Sequence, residues 1–116
     1  MDGLDIYSYD GENYDPTMHF GAWRVAFLNH GDRFTRGKIT YLERHMLTDE
    51  VFVLLRGAAT LLIGPTGEQV TVEPNRIYNV RAGVWHSVIT EPGTRMLVVE
   101  NHNTSRDNSE YMDFRA

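Results

Sequence analysis

A carboxylate, an imidazole and a second carboxylate lie close together at Glu43, His45 and Glu50, and another imidazole follows at His86. These side chains suit a divalent first-row ion, because imidazole favours Fe, Zn, Ni and Cu while carboxylate favours Mn and Fe(II). The chain has no cysteine, which excludes disulfides, thiolate metal sites and thiol nucleophiles. His45, Glu50 and His86 alone would form a two-histidine, one-carboxylate set with open positions. If Glu43 joins them, roughly two positions remain for water or a bidentate oxygen ligand. Electrostatics also calls for a cation: two carboxylates brought together in a partly buried site repel, and without a positive partner one should take up a proton. A Glu43 left outside the metal would act as general acid or base. Tyr41 would donate a hydrogen bond or position the substrate.

The elements that must position these groups read as strands. Over residues 39 to 46, alternation places Tyr41, Glu43 and His45 on one face and Leu42, Arg44 and Met46 on the other. Leu47-Thr48-Asp49 turns the chain, and Glu50 opens the apolar run Val51-Phe52-Val53-Leu54-Leu55. From Gly83 to Thr90, Val84, His86, Val88 and Thr90 share one face while Trp85 and Ile89 share the other. Residues 21 to 28 predict a strand whose buried face carries Trp23, Val25 and Phe27. Residues 58 to 63 pair with 69 to 73 across the turn Gly64-Pro65-Thr66-Gly67, and further short strands are expected at 77 to 80 and 95 to 100. Short strands punctuated by Gly and Pro, with no sustained 3.6-residue period, indicate an all-β antiparallel double sheet or barrel.

The stretch from Gly37 to Gly57 resembles the first motif of the cupins. That motif is Gly, five residues, His-x-His, three or four residues, Glu, six residues, Gly, and here Glu43 stands in place of the first His. The second motif, Gly, five residues, Pro-x-Gly, two residues, His, three residues, Asn, falls on Asn75 to Thr90. Gly83 and His86 match it, whereas Asn75, Arg81 and Thr90 replace its Gly, Pro and Asn. The resemblance implies a double-stranded β-helix, or jelly-roll barrel, in which Glu43, His45, Glu50 and His86 converge on a divalent transition metal such as Fe, Mn, Ni or Zn. It also agrees with a homodimer, which is expected because apolar outward positions at Leu42, Val51, Val53 and Leu55, with an aromatic N-terminal arm, would otherwise leave hydrophobic surface bare.

With 116 residues the chain is expected to form one domain: an arm over about 1 to 20, a barrel over about 21 to 100 and a polar tail over about 101 to 116. Its net charge of −5 comes without a basic cluster, so neither nucleic acid nor anionic lipid is the expected partner; a small molecule is. The acidic start and the lack of a long apolar stretch make cytoplasmic the default location.

Each assignment has a plainer competitor. Glu43 could instead pair with an interior arginine such as Arg24 or Arg81, and His45 could be a satisfied barrel histidine. Tyr7, Tyr9, Tyr14 and Phe20 read as packing aromatics, Trp85 as packing, and His19, His30 and His102 as surface or structural. Three functions fit: a metal-dependent enzyme acting on a small oxygen-rich metabolite by isomerase, epimerase, lyase or dioxygenase chemistry; a non-catalytic metabolite- or sugar-binding module; and a barrel kept for interaction.

Overall fold

The computed structural model describes residues 2–116 and is built almost entirely of antiparallel strands. In chain order these are β1 (Asn13–Phe20), β2 (Trp23–Asn29), β3 (Tyr41–His45), β4 (Glu50–Arg56), β5 (Ala59–Ile63), β6 (Glu68–Val72), β7 (Tyr78–Val80), β8 (His86–Thr90), β9 (Arg95–Asn101) and β10 (Ser109–Asp113). They form two five-stranded sheets, β1-β2-β9-β4-β7 and β10-β3-β8-β5-β6, closed face to face as a jelly roll. Short 3-10 turns at Asp32–Phe34, Arg36–Lys38 and Arg106–Asn108 complete the ordered elements. Among the described residues no helix is long and apolar enough to cross a membrane.

The main core lies between the sheets, where Ala26, Leu28, Phe52, Leu54, Met96 and Val98 of the first sheet meet Ala59, Leu61, Val72 and Val88 of the second. Strand periodicity places them there: in β4 and β9 every second side chain is buried. The β5–β6 hairpin and the inward face of β8 are as expected.

Three expectations need correction. In β2 the buried positions are Ala26 and Leu28, in phase with Arg24, whereas Trp23 is exposed and Val25 and Phe27 are half-buried on the outer face. The apolar-inward rule fails because Arg24 turns inward to meet a buried carboxylate, Glu100, directly opposite it on β9. Leu42 is not outward surface awaiting a partner. It is completely buried with Ile39, Leu62 and Ile89 in a second cluster on the back of the β3–β8–β5 layer, and Trp85, Met112 and Phe114 of the same chain pack against it. Val51 and Val53 are likewise half-buried, which leaves Leu55 as the exposed member of that set. Third, the arm and the tail both enter the sheets: β1 is an eight-residue edge strand, and β10 adds to β3 in full register from Ser109 opposite His45 to Asp113 opposite Tyr41.

Two motif glycines have separate physical reasons. Gly57 follows β4 at φ 88, and a Cβ there would lie 2.5 Å from the Thr94 Cα, so both conformation and space require glycine. Gly83, at φ 81, has nothing within 4 Å of such a Cβ and is held by conformation alone. Its N–H donates to the His45 carbonyl at 2.8 Å, joining the two motif segments. Gly57→Ala is therefore expected to cost about 3 kcal/mol, from left-handed strain plus overpacking. Gly83→Ala should cost about 1 kcal/mol, from strain alone. Denaturant unfolding of the two variants checks this; equal losses would mean that Thr94 moves aside freely.

Candidate functional site

At one end of the barrel, side chains from both sheets meet at the floor of a cavity of about 400 Å³. β3 supplies Glu43 and His45, and β8 supplies His86, which is paired in register with Glu43. From the facing sheet β4 supplies Glu50 and β9 supplies Glu100. His45, Glu50, His86 and Glu100 are all buried, while the Glu43 side chain is 32% exposed on the cavity wall.

The Glu50 Oε1 oxygen is the meeting point, 2.8 Å from His86 Nε2 and 3.1 Å from His45 Nε2. Glu43 Oε1 and Glu100 Oε1 stand 3.8 and 3.9 Å from His45 Nε2. The other nitrogen of each ring is held from behind. His86 Nδ1 lies 3.0 Å from the Val84 carbonyl, which can only accept, so Nδ1 carries the proton. His45 Nδ1 lies 2.8 Å from Ser109 Oγ, whose own hydrogen goes to the Ser105 carbonyl, so Nδ1 again donates. In the neutral tautomer both Nε2 lone pairs therefore face the Glu50 carboxylate. That arrangement is repulsive unless each nitrogen is protonated or a cation sits between them.

Glu100 makes the same demand. Its Oε2 accepts from the Tyr14 hydroxyl and, at 2.9 Å, from Arg24, while Arg24 Nε donates to the Tyr14 oxygen at 3.0 Å. Its Oε1 is buried with no hydrogen-bond partner in the protein and belongs to the same constellation as His45 and Glu50. An orphaned carboxylate oxygen is costly unless a cation satisfies it. The donor set thus fits a metal ion. Bonds of about 2.1 Å place adjacent ligand atoms about 3 Å apart, close to the separations at Glu50. Glu43, His45 and His86 form a second constellation sharing His45.

Proton equilibria carry the same charges. Glu50 is held down to about 2: burial would raise it, but the hydrogen bonds from the two imidazoles outweigh burial. Burial lowers His45 and His86, yet the Glu50 carboxylate overrides it and raises both. Burial raises Glu43, which favours its protonated form relative to an exposed glutamate. Tyr14 is raised by burial and by the Glu100 charge, so it remains a phenol that donates.

The structure brings the four proposed ligands to this end of the barrel, Glu50 at the floor with both imidazoles and Glu43 on the wall in the second constellation. Tyr41 lies on the wall, 37% exposed, with its hydroxyl 3.4 Å from Arg33 and its ring edge-on to Tyr111. Arg24 does not serve Glu43 but binds Glu100, and Arg81 has no ion pair among the described residues. The sequence placed Arg24 in the interior but beside Glu43 instead of Glu100, and it did not mark Glu100, Tyr14 or Ser109 as site residues. No motif spacing marks them, although a glutamate ending an apolar strand at the same inward phase as Met96 and Val98 was a usable signal. His19 and His102 are exposed, as expected, and stack on each other with ring centres 3.6 Å apart.

No protein-family model matches the chain and no curated protein matches it. Solved structures do. The chain is similar to Pac13 from Streptomyces, a nucleoside dehydratase, with TM-score 0.70 and 10% identity over 97% of this chain and 94% of that one. It is similar to a cupin-2 domain protein of Shewanella frigidimarina, with TM-score 0.63 and 15% identity over 81% and 85% of the two chains. It is also similar to KdgF from Halomonas sp., with TM-score 0.62 and 14% identity over 92% and 94%. The fold is therefore that of the small cupins.

In metal-free protein the Glu50 carboxylate with its imidazolium partners is expected to stabilise the fold within a bounded pH window. The Glu50 share is complete above its ordinary value of 4.5 and fades as pH falls toward about 2. The histidine share is complete below the ordinary 6.5 and fades as pH rises through their raised values. The stability difference between wild type and Glu50→Gln, from urea unfolding in chelator, should peak between pH 4.5 and 6.5 and shrink on both sides. A difference that stays flat into alkaline pH would show that the imidazoles are not charged.

Proposed function

We propose that this chain is a metal-dependent enzyme of the cupin fold acting on a small oxygen-rich metabolite by proton transfer, in the manner of an isomerase, epimerase or lyase. The observation that carries the reading is the pair of Nε2 atoms directed at one Glu50 oxygen beside the orphaned Glu100 Oε1. His45, His86 and Glu50 would hold a divalent ion, with Glu43 or Glu100 closing the set. Such an ion, when bound, polarises a carbonyl or enediolate oxygen.

The remaining work falls to the chain's own groups. Ser109 and the Val84 carbonyl fix the tautomer and orientation of the two imidazoles. Tyr14 and Arg24 lock Glu100 so that a single oxygen faces the floor. Glu43 is half-buried on the cavity wall with its pKa raised, which suits it to take a proton from a carbon next to a carbonyl and to return it to the neighbouring atom. Tyr41 is placed to position the substrate from the wall.

A second reading has its own support. The raised imidazole pKa values and the lowered Glu50 describe an acid–base pair that needs no metal, and the similar Pac13 is a nucleoside dehydratase. In that case Glu43 would remove the proton and an imidazolium would protonate the departing hydroxyl, so that water leaves.

Elemental analysis of untagged protein purified without added metal decides between them. The metal reading expects near-stoichiometric Fe, Mn, Ni or Zn, lost in His45→Ala and His86→Ala. Where Glu100 closes the set, Glu43→Gln should keep the metal while lowering kcat by about a hundredfold or more, the usual share of a general base; metal lost in that variant would assign Glu43 to the ion instead. Protein that stays metal-free after reconstitution would leave the acid–base reading.

A further inference from the structure

The mouth of the cavity differs in charge from its floor. Arg33, Lys38 and Arg106 line the opening, above a floor that holds Glu43, Glu50 and Glu100. In this chain of net charge −5, four of the ten arginines have a carboxylate partner among the described residues: Arg24 pairs with Glu100, Arg44 with Glu110, Arg76 with Glu73 and Arg95 with Asp10. The two arginines at the mouth do not. Among the described residues neither Arg33 nor Arg106 has a carboxylate within salt-bridge distance. Arg33 instead lies over the Phe34 ring and reaches the Tyr41 hydroxyl, and Arg106 lies over the Tyr111 ring. Lys38 has only a loose contact with Asp32, at 3.7 Å.

Both arginines are carried on built supports rather than on slack loops. Arg33 sits in the 3-10 turn Asp32–Phe34, closed at each end by backbone hydrogen bonds to Gly31 and Asp32. Arg106 opens the 3-10 turn Arg106–Asn108, which Ser105 and Asn108 cap reciprocally. The two turns lie more than seventy residues apart in the chain. They flank one opening because β10 adds to β3 and carries the tail back across the cavity. Between them the edge-on Tyr41 and Tyr111 rings, 5.6 Å apart, form the wall that descends to Glu43, directly opposite Tyr111 in the sheet.

We propose that the ligand of this cavity is an organic anion whose carboxylate or phosphate is held at the mouth by Arg33 and Arg106, with Lys38 adding attraction. Its hydroxyl or carbonyl end then reaches the floor described above. The orientation rests on the proposed function, because the floor must be the reacting end; the anion preference rests on the mouth alone. Guanidinium groups that are free of carboxylates and backed by aromatic faces are pre-organised for planar or tetrahedral oxyanions. A cavity of about 400 Å³ holds a molecule the size of a small sugar acid or sugar phosphate. Net acidity elsewhere on the surface repels anions, so a local basic rim supplies the selectivity.

Calorimetric titration with three matched probes, ribose, ribose 5-phosphate and gluconate, tests this at low ionic strength. Wild type is expected to bind at least one anionic probe about tenfold more tightly than ribose, the size of one charge-assisted hydrogen bond. The Arg33→Gln/Arg106→Gln double variant should lose that preference, Arg76→Gln should keep it, and added salt should weaken it. The tighter anion tells phosphate from carboxylate. The proposal is overturned if no probe binds at millimolar concentration, if ribose binds as well as both anions, or if the preference survives in the double variant. The His45→Ala protein separates the two ideas: an anion preference retained there supports the mouth even where metal analysis fails the floor.

Discussion

Negative charge buried at the end of the barrel is the constraint to which the surrounding structure responds. Glu50 and Glu100 are buried carboxylates, Glu43 stands beside them, and the fixed cation at hand is Arg24. An uncompensated ion in such a place costs several kcal/mol. The remaining charge must therefore come from imidazolium protons or from a bound ion, and the two histidines face Glu50 in a way that admits either. Their Nδ1 atoms are committed elsewhere, so that choice is made at Nε2 alone.

Several elements that look peripheral along the chain serve this arrangement. The tail strand β10 places Ser109 behind His45 and Tyr111 opposite Glu43. The edge strand β1 contributes Tyr14, whose hydroxyl completes the clamp on Glu100. The short link between β3 and β4 is tied on both sides: Thr48 accepts from the Asn101 amide, and the Asp49 carboxylate accepts from the Ala82 amide and from Asn79. Those bonds hold the ends of β9 and the approach to β8 against the His45–Glu50 turn. The ligand atoms are thus positioned on strands, and the connecting loop is restrained by side chains that never reach the cavity.

The burial of Leu42 under Phe114 and Met112 also bears on assembly. The apolar back of β3 is covered by the chain's own tail, so that face offers no reason for a second copy to bind. Exposed apolar side chains are found instead at Leu4 and Ile6 in the arm, at Phe20 and Trp23 across the β1–β2 turn, at Met46 and Leu47 after β3, at Leu55 and at Ile77. Of the surface expected to need covering, the arm and Leu55 thus stay exposed, whereas Leu42 is covered by the chain itself.

How far the sequence could be read depended on whether a residue's role was set by its neighbours in the chain. Alternation within 39 to 46 and 83 to 90, the turn glycines and the hairpin around Gly64 and Gly67 were legible because strand pleat and turn chemistry act over a few residues. The same local rules placed Glu43 with His45 and chose the correct face for His86. They failed in β2, where the inward face carries Arg24. A hydrophobic pattern cannot register an ion pair whose other half, Glu100, is supplied by a strand more than seventy residues away. Tyr14, Ser109 and the basic mouth were invisible for the same reason, and Glu100 showed only as a glutamate at an inward phase of an apolar strand. The order β10-β3-β8 and the register Arg24 opposite Glu100 belong to sheet pairing, which only closure of the two sheets decides. Short-range stereochemistry determined which residues could point into a barrel. Long-range strand pairing decided which of them meet, because hydrogen-bonded register sets those contacts irrespective of distance along the chain.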